Sequence, residues 1–254
     1  MIKEYLKKNL SDSSRRQLRK LVDNVRAFGL GMNLDRLGRI YRTDKSGLHF
    51  YTPHYQAHFR KFKFKPINLL EIGVGGYDKP EMGGNSLRMW RKYFPFGRIY
   101  SLDIYDKSLQ QERRIKIFKG SQVDKPFLDT VTSKIGDLDI IIDDGSHLNE
   151  HVIETFKILF PKLKDGGIYV VEDTQTSYWK EYGGDSLDLN NPGTMMNYFK
   201  AMTDCLNNKE FINPGYQQTY YDRKIVSMHF YHNLIFIYKG DNVEESNVVK
   251  NNQF

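Results

Sequence analysis

The sequence predicts an α/β fold, a doubly wound and mostly parallel sheet that closes with an antiparallel C-terminal hairpin. Beyond residue 66, short apolar or β-branched runs alternate with stretches of helical periodicity, the pattern of βαβ crossovers that cover both faces of a parallel sheet. The ending breaks that rhythm. Runs 225–231 and 234–239 are separated only by His232 and Asn233, which leaves no room for a crossover helix, so the last strand runs antiparallel to its predecessor. With 254 residues the chain is long enough to bury a core of its own.

The elements follow in order. Residues 1–40 read as a basic helical extension. Lys3, Lys7, Lys8, Arg15, Arg16, Arg19, Lys20 and Arg26 hold much of the excess behind a net charge of +7, and Leu10, Leu18, Leu21, Val22 and Val25 fall among them at roughly helical spacing. This predicts one or two amphipathic helices packing on the domain or on a second copy of the chain, in a homo-oligomer. Peripheral contact with a membrane surface or an anionic substrate is the alternative. No nucleic-acid reader motif accompanies the charge, so no nucleic acid is expected. Residues 41–242 form the main domain, with strands over 68–74, 98–105, 115–121, 138–143 and 167–172, each an apolar run bounded by turn residues. Helices are expected over 86–94, 127–134, 151–163 and 194–206, and the polar tail 243–254 is expected to be mobile. No apolar run approaches the ~20 residues that span a bilayer, and the N-terminus has no apolar h-region. The one cysteine, Cys205, excludes an internal disulfide framework and a Cys-based zinc cluster. A cytoplasmic protein is expected.

Three strand ends carry the chemistry. The first is Glu71-Ile72-Gly73-Val74-Gly75-Gly76, the second Ile142-Asp143-Asp144-Gly145-Ser146-His147, and the third Val171-Glu172-Asp173. Ligands bind beyond the carboxyl ends of parallel strands, so these groups can converge on one site. A dinucleotide fingerprint starting at Gly73 would need glycine where Asp78 stands, and its acidic residue ~20 residues on, whereas Asp103 comes 30 residues after Gly73. The run from Glu71 to Gly75 instead resembles the E-x-G-x-G nucleoside-binding turn of S-adenosylmethionine methyltransferases. A plain tight turn is the alternative. Gly73 and Gly75 let the backbone approach a ligand without a Cβ in the way, Glu71 suits an ammonium group, and Asp103 can accept both ribose hydroxyls. Ser121 and Gln122, beyond the third strand, offer a hydroxyl or amide near an adenine edge.

Asp143, Asp144, Glu172 and Asp173 emerge from buried strands into that crevice. Carboxylates so close repel unless they share a cation or a proton. Oxygen-only donors favour Mg²⁺, with Mn²⁺ or Ca²⁺ sharing the preference. Neighbouring strand residues point to opposite faces, so the members of each pair need not all reach one ion; the preferred ligand set is Asp144, Glu172 and Asp173, with Asp143 on the cofactor side or in support. A metal-free loop held by hydrogen bonds is the alternative. His147, three residues past Asp144, is placed to act as a general base.

Taken together, Leu70 to Asp78, Gly84-Asn85-Ser86-Leu87-Arg88-Met89-Trp90, Leu102 to Ser108, Asp143 to His147 and Glu172-Asp173-Thr174 resemble the metal-dependent sugar O-methyltransferases of macrolide biosynthesis, of the mycinamicin type. The resemblance covers roughly residues 40–180 with the motifs in the same order. It implies the class I, Rossmann-like methyltransferase fold, S-adenosyl-L-methionine as methyl donor, magnesium at Asp144, Glu172 and Asp173, and His147 as base. It places cofactor contacts around Glu71, Gly73 and Asp103, which Ser86 and Tyr51 complete; Tyr51 lies in 41–55, similar to the family's segment leading to the cofactor pocket. The implied acceptor is a glycosylated natural product or bacterial polysaccharide whose vicinal hydroxyls chelate the ion. A catechol-like diol, or a carbohydrate- or nucleotide-binding module without turnover, are the alternatives. The family carries a sizeable domain ahead of its catalytic domain where this chain has some 40 residues, and substrate contacts made by that domain do not transfer. Tyr178, Trp179, Tyr182 and Gly183-Gly184 in the loop after the third acidic strand end suit a lid or a structural flap.

Overall fold

Five apolar runs that end in turn residues pair side by side as parallel strands in the computed structural model of the chain, which describes residues 11–28 and 33–246. They are β1 (Asn68–Ile72), β2 (Arg98–Asp103), β3 (Ile115–Lys119), β4 (Leu138–Asp143) and β5 (Leu163–Glu172). The terminal hairpin supplies β6 (Ile225–Tyr231) and β7 (Leu234–Lys239), and the seven strands lie in the order β3-β2-β1-β4-β5-β7-β6. As the two-residue turn requires, β7 is antiparallel to β6, and it is antiparallel to β5 as well. The chain order reverses between β1 and β4, which makes their carboxyl ends the crevice where such sheets take ligands.

The chain forms two compact units. One comprises Met1–Pro66 and Gly84–Gly97, the other Ile67–Gly83 and Arg98–Phe254. The first contains α1 (Asp12–Phe28), α2 (Leu34–Tyr41), α3 (Thr52–Phe59) and α4 (Asn85–Tyr93). Its core is aromatic, with Tyr55 and Trp90 ring centroids 4.9 Å apart and Phe59 5.7 Å from Trp90. Basic helix α1 does not bury the apolar row expected of it. Asp23 and Ala27 are the buried positions, Asp23 accepting two 2.8 Å bonds from the Arg42 guanidinium, while Leu21, Val25 and Phe28 are exposed. Lys3, Lys7, Lys8, Leu10 and residues 247–254 of the tail lie outside the described residues.

The second unit holds the sheet with α5 (Lys125–Ile135), α6 (Asn149–Leu159), α7 (Met195–Ala201) and α8 (Tyr220–Lys224). Local chemistry moves several expected boundaries. α5 starts two residues early because the Asp124 side chain accepts from Phe127 N at 3.0 Å and Pro126 suits a first turn. The helix expected to reach 163 stops at Leu159, since Pro161 turns it into a 3₁₀ segment, Phe160–Lys162. β5 begins at Leu163 rather than Gly167, with a register shift against β4 between Leu138 and Ile140. The inner strands bury Leu70, Ile72, Ile141, Tyr169, Val171, Ile235 and Ile237 against Phe156, Phe160 and Phe199. Among the described residues no helix is long and apolar enough to cross a membrane.

Candidate functional site

Strand register decides which acidic groups meet. Glu71 of β1 registers with Ile142 of β4, and Asp144, two residues on, shares that face. Asp144 N donates to Ile72 O at 3.1 Å, which carries the pairing one residue past the strand. Asp143 registers with Val171 of β5, so Glu172 comes beside Asp144. Carboxylate oxygens of Glu71, Asp144 and Glu172 accordingly lie within 4.8 Å of one another. A second group within the same limit joins Asp144, His147 and Asp173, with His147 Nε2 4.0 Å from Asp144 and 3.7 Å from Asp173. Asp144 belongs to both groups, whereas Glu172 and Asp173 enter one each because adjacent residues diverge.

Glu71 and Glu172 are buried, and the side chains of Asp144, His147 and Asp173 keep 23, 24 and 17% of their exposure. The cluster is thus a half-open acidic pit with a histidine on its rim. Carboxylates gathered in a low-dielectric wall favour a hard cation, and the donor chemistry fits one. That Glu71 joins them went unread in the sequence, although β1–β4 adjacency and strand parity supply the signal.

Asp143 sits on the opposite face of β4. It accepts from Gln122 Nε2 at 3.2 Å and from the Tyr169 hydroxyl at 3.5 Å. Burial, then the neighbouring Asp144 charge, pushes its pKa up to about 7. Gln122 is buried and committed: its Oε1 accepts from Ser146 N at 2.8 Å, and its Nε2 also reaches Thr155 Oγ1 at 3.0 Å. The Ser121 hydroxyl accepts from Val123 N at 3.3 Å. Asp103 accepts from Val74 N and Tyr105 N, both at 2.9 Å, which fixes its carboxylate beside the glycine turn. At Gly73 (φ 91°) an added Cβ would stand 2.1 Å from Asp144 O, so only glycine lets β1 and the end of β4 approach this closely. Gly75 has φ 78°, a conformation that favours glycine without any steric neighbour demanding it. Tyr51 and Ser86 belong to the first unit. Tyr51 is buried with its ring stacked on His49 at 4.9 Å, and Ser86 lies in the first turn of α4.

Several further residues shape the pit. His147 and Asp173 both adopt the left-handed region, at φ 57° and 55°. The buried Thr176 hydroxyl serves both, donating to His147 O at 2.8 Å with Asp173 O at 3.2 Å. Asn149, at the start of α6, donates to Thr176 O at 3.0 Å and Tyr182 O at 2.9 Å, and accepts from Met195 N at 2.7 Å. The segment after β5 is therefore tied down through two 3₁₀ turns, Thr174–Tyr178 and Lys180–Tyr182. On the glycine side, buried Lys107 donates to Lys79 O at 2.8 Å and Gln110 to Pro80 O at 2.9 Å, which fixes the loop that follows the turn. Nothing local in the sequence marks Thr176 or Lys107, because their partners are backbone carbonyls distant along the chain.

No model of a known protein family matches the chain. It is 46% identical over 214 residues to the mycinamicin VI 2''-O-methyltransferase of Micromonospora griseorubida and, over the same length, to the demethylmacrocin O-methyltransferase of Streptomyces fradiae. It is 43% identical over 201 residues to a rhamnosyl tetracenomycin-C 2'-O-methyltransferase of Streptomyces olivaceus. The first two alignments cover 84% of this chain but 54% of each relative, and the third 79% and 53%, so the chain spans about half the length of the curated relatives it matches. The MycE methyltransferase of the mycinamycin pathway, solved with Mg and SAH, superposes with a TM-score of 0.81 at 46% identity, over 84% of this chain and 56% of that one. Sheet order, acidic strand ends and these likenesses agree: the chain has the Rossmann-like fold of class I S-adenosylmethionine-dependent methyltransferases, and the curated relatives it resembles are sugar O-methyltransferases of macrolide and tetracenomycin pathways.

Proposed function

We propose that the chain transfers a methyl group from S-adenosylmethionine to a hydroxyl of a sugar on a small glycosylated acceptor, with magnesium in the acidic pit. The observation that carries this reading is the meeting of His147 with Asp144 and Asp173 at the carboxyl ends of β4 and β5, in a chain related to sugar O-methyltransferases. MycE is solved with Mg, SAH and mycinamycin VI, and that combination supports donor, metal and acceptor class alike.

Asp144, Glu172 and Asp173 are the proposed ligands; Asp144, common to both groups, is the carboxylate that each of the other two meets, and Glu71 joins it on the Glu172 side. Bound there, Mg²⁺ would supply Lewis acidity toward two vicinal hydroxyls. His147 takes the proton of the attacking hydroxyl at its ring nitrogen, and Asp173 and Asp144 stabilise the imidazolium that results. Asp103 receives the donor's ribose hydroxyls, and the backbone at Gly73 and Gly75 faces its methionine portion. Ser121, Gln122 and Asp143 frame the adenine side, Gln122 and Asp143 as mutual supports. Association of copies belongs to the same reading, with exposed Leu21, Val25 and Phe28 of α1 as the contact; an anionic vesicle surface is the other partner to assay.

Calorimetric titration of S-adenosylhomocysteine into chelator-stripped protein, with and without Mg²⁺, tests the donor and metal assignments. Binding is expected, and a separate Mg²⁺ heat should vanish in Asp144→Ala while cofactor binding stays. His147→Ala should lower kcat by about 10² or more with Mg²⁺ affinity little changed. Chelator-insensitive transfer that survives in both variants would overturn the mechanism, and transfer to a catechol but to no glycoside would move the acceptor to phenolic diols.

A further inference from the structure

We propose that a cavity at the hairpin end of the sheet is a subsite for a second, non-reacting pyranose ring of a glycan acceptor. The proposal rests on the methyl-transfer reading and adds the direction in which the acceptor extends. The cavity, of about 590 Å³, is lined by Gln175, Tyr178, Trp179, Tyr231, His232 and Asn233 together with a methionine, a volume within the ~300–1,000 Å³ usual for small-molecule sites.

Topology gives its position. β2 and β1 lie on one side of β4 and β5, and β7 lies on the other. Glu172 registers with Leu234, and Thr174 N donates to Asn233 O at 3.3 Å. The His232–Asn233 turn therefore stands directly beside the segment that carries Glu172 and Asp173. Displacement at a sulfonium methyl puts donor sulfur, methyl carbon and acceptor oxygen in line. The acceptor oxygen at His147 then lies on the side of the methyl away from the glycine turn of β1, which is the side of β5 and β7 where the cavity lies, and the rest of the acceptor has a path toward it.

Its chemistry suits a neutral, hydroxylated ring. Trp179 and Tyr178 keep 45 and 41% of their exposure, although large aromatic rings usually gain most of their stability from burial. Open aromatic faces match the apolar C–H face of a pyranose, and the amides of Gln175 and Asn233 with the His232 imidazole can meet its hydroxyl rim. The Gln175 amide oxygen is buried and accepts no hydrogen bond. Turning it to a sugar hydroxyl breaks no bond at that atom and satisfies it. No Lys, Arg, Asp or Glu lines the cavity, which disfavours a phosphate or carboxylate ligand.

The chain holds two tryptophans, and Trp90 is fully buried out of reach of an added saccharide, so a change in tryptophan emission during the titration reports on Trp179. The full chain, loaded with S-adenosylhomocysteine and Mg²⁺, is titrated with methyl pyranosides of glucose, galactose and rhamnose and with a disaccharide of each. Saturable quenching is expected, with one disaccharide binding about tenfold or more tighter than its methyl glycoside. By calorimetry that preference should fall roughly tenfold in Trp179→Ala, as for loss of one anchoring aromatic, and in Gln175→Ala, a variant that keeps the loop's rings. No quenching by any saccharide, unchanged affinity in both variants, or quenching only by the apolar probe 1-anilinonaphthalene-8-sulfonate would overturn the proposal. Binding of S-adenosylhomocysteine by the same samples separates the two readings, because it fails only if the methyltransferase assignment fails.

Discussion

Thr176 has no chemistry of its own to offer, yet one hydroxyl proton holds the backbones of the proposed base and of a proposed metal ligand. Left-handed residues with side chains cost on the order of 1 kcal/mol or more each and persist where their surroundings fix them. Removing the clamp should let His147 and Asp173 relax, and displacement of a catalytic group by ~1 Å can cost ~10²-fold in rate. Thr176→Val is therefore expected to lower kcat by about tenfold or more and raise the Mg²⁺ requirement, with the KM for S-adenosylmethionine unchanged. Thr176→Ser should restore both, and an equal loss in the serine variant would show that packing, not the hydroxyl, is what matters. The carboxylates and His147 were legible in the sequence because polar groups at the ends of apolar strands are conspicuous. Thr176 and Lys107 were not, since a side chain that serves remote carbonyls leaves no local pattern.

Strands and helices were legible to different degrees. Period and punctuation located all seven strands and the antiparallel ending, because buried parallel strands read as unbroken apolar runs. Helix ends were harder: Pro161 and the Asp124 cap shifted them, and 194–206 became a short α7 followed by a 3₁₀ stretch, Met202–Glu210. α5 is joined to the segment after α6 through Asp129, whose carboxylate lies 2.6 Å from Lys125 and 2.8 Å from Lys162. Those lysines pull its pKa from 3.8 down to about 2. A carboxylate depressed in the folded state contributes fully above its unfolded pKa and loses that contribution as pH falls through the folded value. Chemical denaturation from pH 6 to 2 should show stability declining below about pH 4 in the wild type. Asp129→Asn should be less stable at pH 6 and show a shallower fall between pH 4 and 2; parallel curves would refute the assignment.

Across the whole chain, Cys205 offers a probe of integrity. Burial, then the bond and charge of Asp222, push its thiol up to about 12. At pH 8 its thiolate fraction is about 10³ lower than at the ordinary value of 9. Iodoacetamide should label the native protein at least ~10²-fold more slowly than the urea-unfolded chain, and equal rates would show that this region opens freely. The two units interleave in sequence, since Gly84–Gly97 groups with Met1–Pro66 while the residues on either side belong to the sheet unit. Local periodicity could not show this, because 86–94 reads equally well as a crossover helix. The place of β7 has a consequence for how the protein is made. Glu172 stands on a strand whose outer neighbour is the last strand of the sequence. Before β7 has been made, β5 presents an open edge to any passing strand. Until synthesis passes Lys239 the strand that carries Glu172 lacks its outer neighbour, so the edge beside the acidic pit is the last side of the sheet to be covered.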